Sequence, residues 1–180
     1  MMHWQQITDF WFSEISPKQW WQKDADFDRL IGQRFAEVLV AAKRGELFGW
    51  RQHPMGRLAE IIVLDQFSRN LYRDTPAAFD ADPMALVLAQ EAVALGVDSE
   101  LPDKMVPFLY MPYMHSESAL IHEEAVKLFS REAARGNLEF EIRHKAIIDR
   151  FGRYPHRNAI LRRESSAEEL AFLQEPGSSF

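Results

Sequence analysis

The chain has 180 residues, 47% hydrophobic and 27% charged, with a formal net charge of −6 at neutral pH. Such values fit one soluble domain with a sizeable core and argue against a general nucleic-acid binder. Apolar runs such as Ile61 to Leu64 and Val38 to Ala42 are too short to cross a membrane, and the lack of cysteine excludes disulfides, thiolate nucleophiles and sulfur-ligated zinc, with a cytoplasmic setting the simplest expectation.

Helical periodicity dominates and no alternating strand pattern appears. The opening "MMHWQQITDFWFSE" carries Asp9 and Glu14 without a basic segment, so it does not read as a signal peptide. Within it, "ITDFWFSEI" reads as a short aromatic helix. "DFDRLIGQRFAEVLVAAKRG" opens on Asp residues and closes at Gly45, as an N-cap and a C′ glycine would. "HPMGRLAEIIVLDQFSRNLYR" places Pro54 at a helix start, where its missing N–H does no harm. Thr75-Pro76 and Asp82-Pro83 are further cap-then-proline starts, the second leading a helix to Gly96. Pro107 and Pro112 predict a short helix and then an extended turn in "LPDKMVPFLYMPYMH". "SESALIHEEAVKLFSREAARG" reads as one long helix ending at Gly136, and "LEFEIRHKAIIDRFG" as another ending at Gly152. Ser166 and Glu169 have capping-box spacing and start a last helix through Leu173.

The expectation is an all-α fold of seven to eight helices in antiparallel pairs, stacked into a bundle or a short superhelix. Residues 1–180 form one helical domain, with 174–180 a frayed tail. Gly45, Gly96 and Gly136 fall roughly 40–50 residues apart, compatible with degenerate helix-pair units.

Polar residues interrupt the apolar faces. The helix after Pro54 is hydrophobic around nearly its whole circumference, yet Asp65 and Arg69 sit four apart on one face, beside Gln66 and Asn70. A buried charge must be paired or meet a ligand. Before Gly152, Phe140, Ile147, Ile148 and Phe151 form one arc with His144 in its middle and Arg143 and Arg150 on its edge. His115 and Glu117 lie at a turn into a helix, and His156, Arg157 and Asn158 follow Pro155 at another. The aromatics Trp4, Trp11, Trp20, Trp21 and Trp50, with Phe10 and Phe12, read first as a core layer.

Charge is unevenly spread. From Arg143 to Arg163 there are seven Lys/Arg and one acidic residue, a window of +6 that leaves −12 on the remainder. Within it, "DRFGRYPHRNAILRR" is either an anion site or the positive half of an ion-pair network. Most of the stretch is expected to form the network, with one or two arginines left over.

Three chemistries use this set of residues. An anion site would use Arg150, Arg153 and Arg157, with Arg69, Asn70, His156 and Asn158 around the ligand. A metal site could draw on His115, Glu117, His144 and Asp65, but neighbouring arginines repel a cation and no His-Glu-x-x-His pair exists, so none is assigned. Acid–base catalysis would pair His115 or His144 with Glu117 or Asp65. No Gly-x-Gly-x-x-Gly, phosphate-binding loop or Gly-x-Ser-x-Gly elbow occurs, so no cofactor is assigned.

The leading expectation is binding of a small anionic ligand or peptide carboxylate in an Arg/His-rich pocket. The alternatives are an acid–base hydrolase or lyase and a helical scaffold for a partner protein. No nucleic acid or membrane partner is expected, and oligomeric state is left open.

"LDQFSRNLYRDTPAAFDAD", "FLYMPYMHSE" and "RHKAIIDRFGRYPHRNAILRRESSAEELAFL", with the N-terminal "FWF", "WW", "FDRLIGQRF" and "GELFGW", resemble the bacterial domain-of-unknown-function family 924. The resemblance spans nearly the whole chain. It implies an all-α fold similar to tetratricopeptide repeats and no established activity. Members of that family tend to read "AILGR" where this chain has Arg162, and a glycine there would suit a helix end or a close backbone approach.

Overall fold

The computed structural model describes residues 2–180; Met1 lies outside them. Among the described residues every regular element is helical, and no helix is long and apolar enough to cross a membrane. The first helix, α1 (Trp4–Asp9), runs on through a π-helical turn at Phe10–Glu14. That turn carries both Phe10 and Trp11 into the core. There Phe10 stacks with Phe27 and meets Phe35 at a tilt, and Trp11 meets Phe67 and Phe108 edge to face.

The longest helix, α2 (Ala25–Lys43), begins at Asp24, whose carboxylate accepts from the N–H groups of Asp26 and Phe27. It buries Phe27, Ile31, Phe35, Val38, Leu39 and Ala42, one stripe at helical spacing. It stops where Gly45 turns left-handed at φ +71°.

The centre of the molecule is α3 (Pro54–Ile62), continued by a π turn at Val63–Phe67 and by α4 (Ser68–Leu71). Every residue from Leu58 to Ser68 is buried. At Gly56 the helix approaches the turn before it so closely that a β-carbon would lie 2.1 Å from the Trp50 carbonyl oxygen. Helices α1, α5 (Asp82–Ala94) and α6 (Val106–Met114) surround α3, while α2 lies against the π turn and α4.

Pro107 and Pro112 do not break the chain as expected. α6 is continuous and wholly buried, with Pro107 in its first turn and Pro112 inside it. Packing on all sides outweighs the hydrogen bond that Pro112 cannot donate. The long helix expected up to Gly136 is instead α7 (Ala119–Phe129) followed by a 3-10 turn at Glu132–Asn137. α8 (Leu138–Phe151) ends at Gly152, φ +70°. α9 (Ala167–Phe172) opens with the expected capping box, Ser166 accepting from the Glu169 N–H and Glu169 from the Ser166 N–H.

Two hydrophobic clusters result. The main one joins α1 to α7; a small one holds Ile147, Ile148 and Tyr154, with Phe151 and Phe172 against it. Phe140, read as part of that inner arc, is instead 54% exposed. The tail at 174–180, expected to fray, folds back: Ser178 is buried and donates to the Leu173 carbonyl.

Candidate functional site

The polar residues gather between the two hydrophobic clusters. Asp65 sits in the π turn, 1% exposed, the kind of local widening that proteins retain at working sites. Its carboxylate accepts from Gln66 Nε2 at 2.6 Å and from His115 Nδ1 at 2.6 Å, and Arg69 Nη1 lies 3.4 Å away. Arg69 also donates to the Asp65 carbonyl and makes a two-pronged pair with Asp82, at 2.7 and 3.0 Å. Arg157 completes the group, with Nη1 3.5 Å from Asp82 and Nη2 donating to the His115 carbonyl at 3.0 Å. Two guanidinium and two carboxylate groups therefore balance at the centre, as buried charges require.

His115 follows the last turn of α6, which delivers it to Asp65. An ionised carboxylate only accepts, so Nδ1 carries the proton. Nε2 is then a lone pair. It has no hydrogen-bond partner among the described residues, and the side chain is 13% exposed. Burial pushes the Asp65 carboxyl up, but the charges of His115 and Arg69 and the hydrogen bonds from His115 and Gln66 hold it down, to about 2. For His115, burial and then the charge of Arg69 outweigh Asp65 and keep the imidazole below its ordinary range.

Tyr154 organises the other histidines. Its hydroxyl donates to the Met114 carbonyl at 2.5 Å and lies 3.1 Å from His122 Nε2. The rings of His144 and His156 lie 5.9 and 5.8 Å from its own. The Arg157 guanidinium stands 4.7 Å from the Tyr154 ring and 4.5 Å from the Phe79 ring. His144 Nδ1 donates to the Phe140 carbonyl, and burial lowers His144 to about 3. Burial and the Arg157 charge lower His156 to about 4. Two polar atoms here are buried and without a hydrogen-bond partner, His156 Nδ1 and Arg157 Nε.

The arginine-rich stretch is mostly a strut. Arg153 pairs two-pronged with Glu169 and Arg163 with Glu117, while Arg150 meets Glu168. Glu117 also accepts from the Tyr154 N–H at 2.7 Å, tying the turn before α7 to the loop after α8. Burial pushes the Glu117 carboxyl up, but these hydrogen bonds and the charges of Arg157 and Arg163 hold it below the usual range. Of the arginines expected to meet an anion, Arg69, Arg150 and Arg153 pair with carboxylates, and Arg157 keeps one buried N–H, Nε, without a partner. Asn70 stands apart and donates to Asp28. Asn158 bridges Ser165 and Arg163 within its own loop.

Sequence reasoning missed Asp82, Phe79, Tyr154, His122 and Glu141 as members of this region. Asp82 was legible only as a helix cap, and Tyr154 lies inside the stretch that drew attention for its charges.

Two grooves lie elsewhere. A groove of about 810 Å³ is lined by residues of α1 and α2 such as Gln6, Gln33 and Glu37, and its cation Arg34 already pairs with Glu14. It offers less chemistry than the histidine region. Among the described residues no three His, Asp or Glu side chains converge closely enough to hold a metal ion.

No curated protein matches the chain. A structure of a protein of unknown function from Agrobacterium tumefaciens is similar, with 37% identity and a TM-score of 0.90 over 95% of this chain and 96% of that one. A family profile described as bacterial protein of unknown function (DUF924) matches residues 7–177. With both likenesses running nearly end to end over an all-helical structure, this chain belongs to the DUF924 family of bacterial proteins.

Proposed function

We propose that the chain is an acid–base enzyme of small anionic molecules, with His115 as the base, Asp65 as the carboxylate that orients it, and Arg157 as the anchor for the anion. The observation that carries this reading is the state of His115. One ring nitrogen is clamped by a buried carboxylate and the other has no partner among the described residues, in a side chain 13% exposed. That is the arrangement a general base needs, with tautomer and ring angle fixed and the lone pair available. Its lowered pKa keeps the imidazole neutral at physiological pH. The arginine pairings disfavour an anion pocket built from Arg150, Arg153 and Arg157 together, since Arg150 and Arg153 already have carboxylate partners.

Proton abstraction next to a carboxylate is the simplest reaction such a site supports. The test is hydrogen–deuterium exchange at carbon in a panel of 2-oxo and 2-hydroxy carboxylates, followed by NMR in heavy water. A general base contributes about 10²–10⁴-fold, so His115→Ala should remove at least a hundredfold of any exchange, and Asp65→Asn should reduce it. Exchange unaffected by His115→Ala would overturn the assignment.

A further inference from the structure

Beyond α9 the chain turns at Gly177, φ +79°, and Ser178 Oγ fastens it to the Leu173 carbonyl. This return lays the Phe180 ring across the histidine region. Ring centroids lie 3.8 Å from His144, 4.5 Å from His156 and 5.1 Å from Tyr154, the last edge to face at 85°. Yet Phe180 is 51% exposed. It is a cap resting on a platform of three rings, with no ion pair from the tail residues among the described contacts.

The platform is unusual in what it leaves unsatisfied. His156 Nδ1 and Arg157 Nε are buried without partners, although Arg157 as a residue is only 5% exposed. A buried donor on a guanidinium is costly to leave alone. Arg157 also has only a distant, shared carboxylate in Asp82. Ring faces and edges at stacking distance favour a flat aromatic group, and the unpaired Nε–H of the guanidinium favours an anion attached to it.

We propose that His144, Tyr154 and His156 form a slot for the ring of an aromatic carboxylate, that Arg157 takes its carboxylate, and that Phe180 is the resident occupant such a ligand must displace. The slot goes beyond the acid–base reading and does not depend on the basicity of His115. A ligand whose site is open only part of the time binds more weakly by the open fraction. A tail that is closed about nine-tenths of the time therefore weakens binding about tenfold.

The experiment titrates the full chain with benzoate and, separately, with cyclohexanecarboxylate, reading the imidazole Cε1–H signals by NMR. In the wild type the His144 signal should be shifted upfield by the Phe180 ring current, and Phe180→Ala should abolish that shift. Phe180→Ala should bind benzoate about tenfold more tightly than the wild type, with cyclohexanecarboxylate clearly weaker. Adding Arg157→Lys to Phe180→Ala should remove most of the gain while the circular dichroism spectrum stays unchanged. Equal benzoate affinity with and without Phe180, no preference for the aromatic acid, or no binding to either chain overturns the proposal. His115 is intact throughout and the readout is binding, so such a failure removes Arg157 as an anchor but leaves His115 and Asp65 as the acid–base pair, which the exchange experiment tests separately.

Discussion

Two histidine–carboxylate pairs lie close together in this molecule and do opposite things. His122 Nδ1 meets Glu141 Oε1 at 2.7 Å and His115 Nδ1 meets Asp65 Oδ1 at 2.6 Å, so the pairs themselves are nearly alike. The other nitrogen differs. His122 Nε2 faces the Ser116 carbonyl at 2.8 Å and the Tyr154 hydroxyl at 3.1 Å, and both His122 and Glu141 are fully buried. His115 Nε2 has no such partner among the described residues, and its side chain is 13% exposed. The first pair is a bolt between α7, α8 and the Tyr154 loop, and the second is a bolt with one end free. A histidine beside a carboxylate is therefore not a functional signal until the second nitrogen is accounted for.

The largest expected effect is on the sealed pair. His122→Ala leaves Glu141 fully buried with neither oxygen partnered, since Oε2 already has none. Burial already raises the Glu141 carboxyl above its usual range, against the hydrogen bond from His122. Removing one member of such a pair costs about 3–5 kcal/mol. His115→Ala leaves Asp65 with Arg69 and Gln66, so its cost should be that of one hydrogen bond to a charged group, about 1.5–3 kcal/mol. Urea unfolding of both variants measures the difference, and equal losses would erase the distinction between bolt and open end.

Acid should act next, through His144 and His156. Both are held neutral, His144 at about 3 and His156 at about 4, whereas an unfolded imidazole titrates near 6.5. Below pH 6.5 the unfolded chain binds protons that the folded chain refuses, so stability falls as pH falls towards the folded values. At pH 4.5 the loss at His144 alone is about 2–3 kcal/mol relative to pH 7. Thermal melts at the two pH values check this, and His144→Gln should flatten the dependence. A melting temperature that rises on acidification would show that these imidazoles carry their protons in the fold.

How much of this was readable beforehand depends on the kind of interaction. Caps and glycine stops were legible because they are local: Gly45, Gly96, Gly152 and Ser166 all stand where residue type and spacing placed them, although the helix read as opening at Asp26 is capped two residues earlier by Asp24. α6 was misread because Pro112 is a local breaker that burial on every side overrides. The region around Asp65 was half legible. A carboxylate on a helix that is apolar all round announces a buried partner, but nothing in the sequence says which of four histidines it is. His115 lies 50 positions away and Asp82 13 positions from Arg69. His122 passed unremarked because an ordinary amphipathic helix carries it, and only the fold brings Glu141 against it.

The smallest effect concerns the one arginine of the run with no ion-pair partner among the described residues. Arg162 is exposed and stands at φ +56°. A side chain in that left-handed conformation costs about 1–2 kcal/mol because its β-carbon crowds the following carbonyl. Glycine escapes the crowding, though a freer unfolded chain takes back part of the gain, up to about 1 kcal/mol. Arg162→Gly should thus stabilise the protein by about 0.5–1 kcal/mol. Arg162→Ala, which removes the charge and keeps the β-carbon, should stay within about 0.5 kcal/mol of the parent. If Arg162→Gly destabilises the chain and Arg162→Ala does so equally, the guanidinium is holding something, and Arg162 joins the network with Arg150, Arg153 and Arg163. If only the glycine variant gains, the turn alone explains why a glycine suits this position, and the charge there is incidental to both histidine pairs.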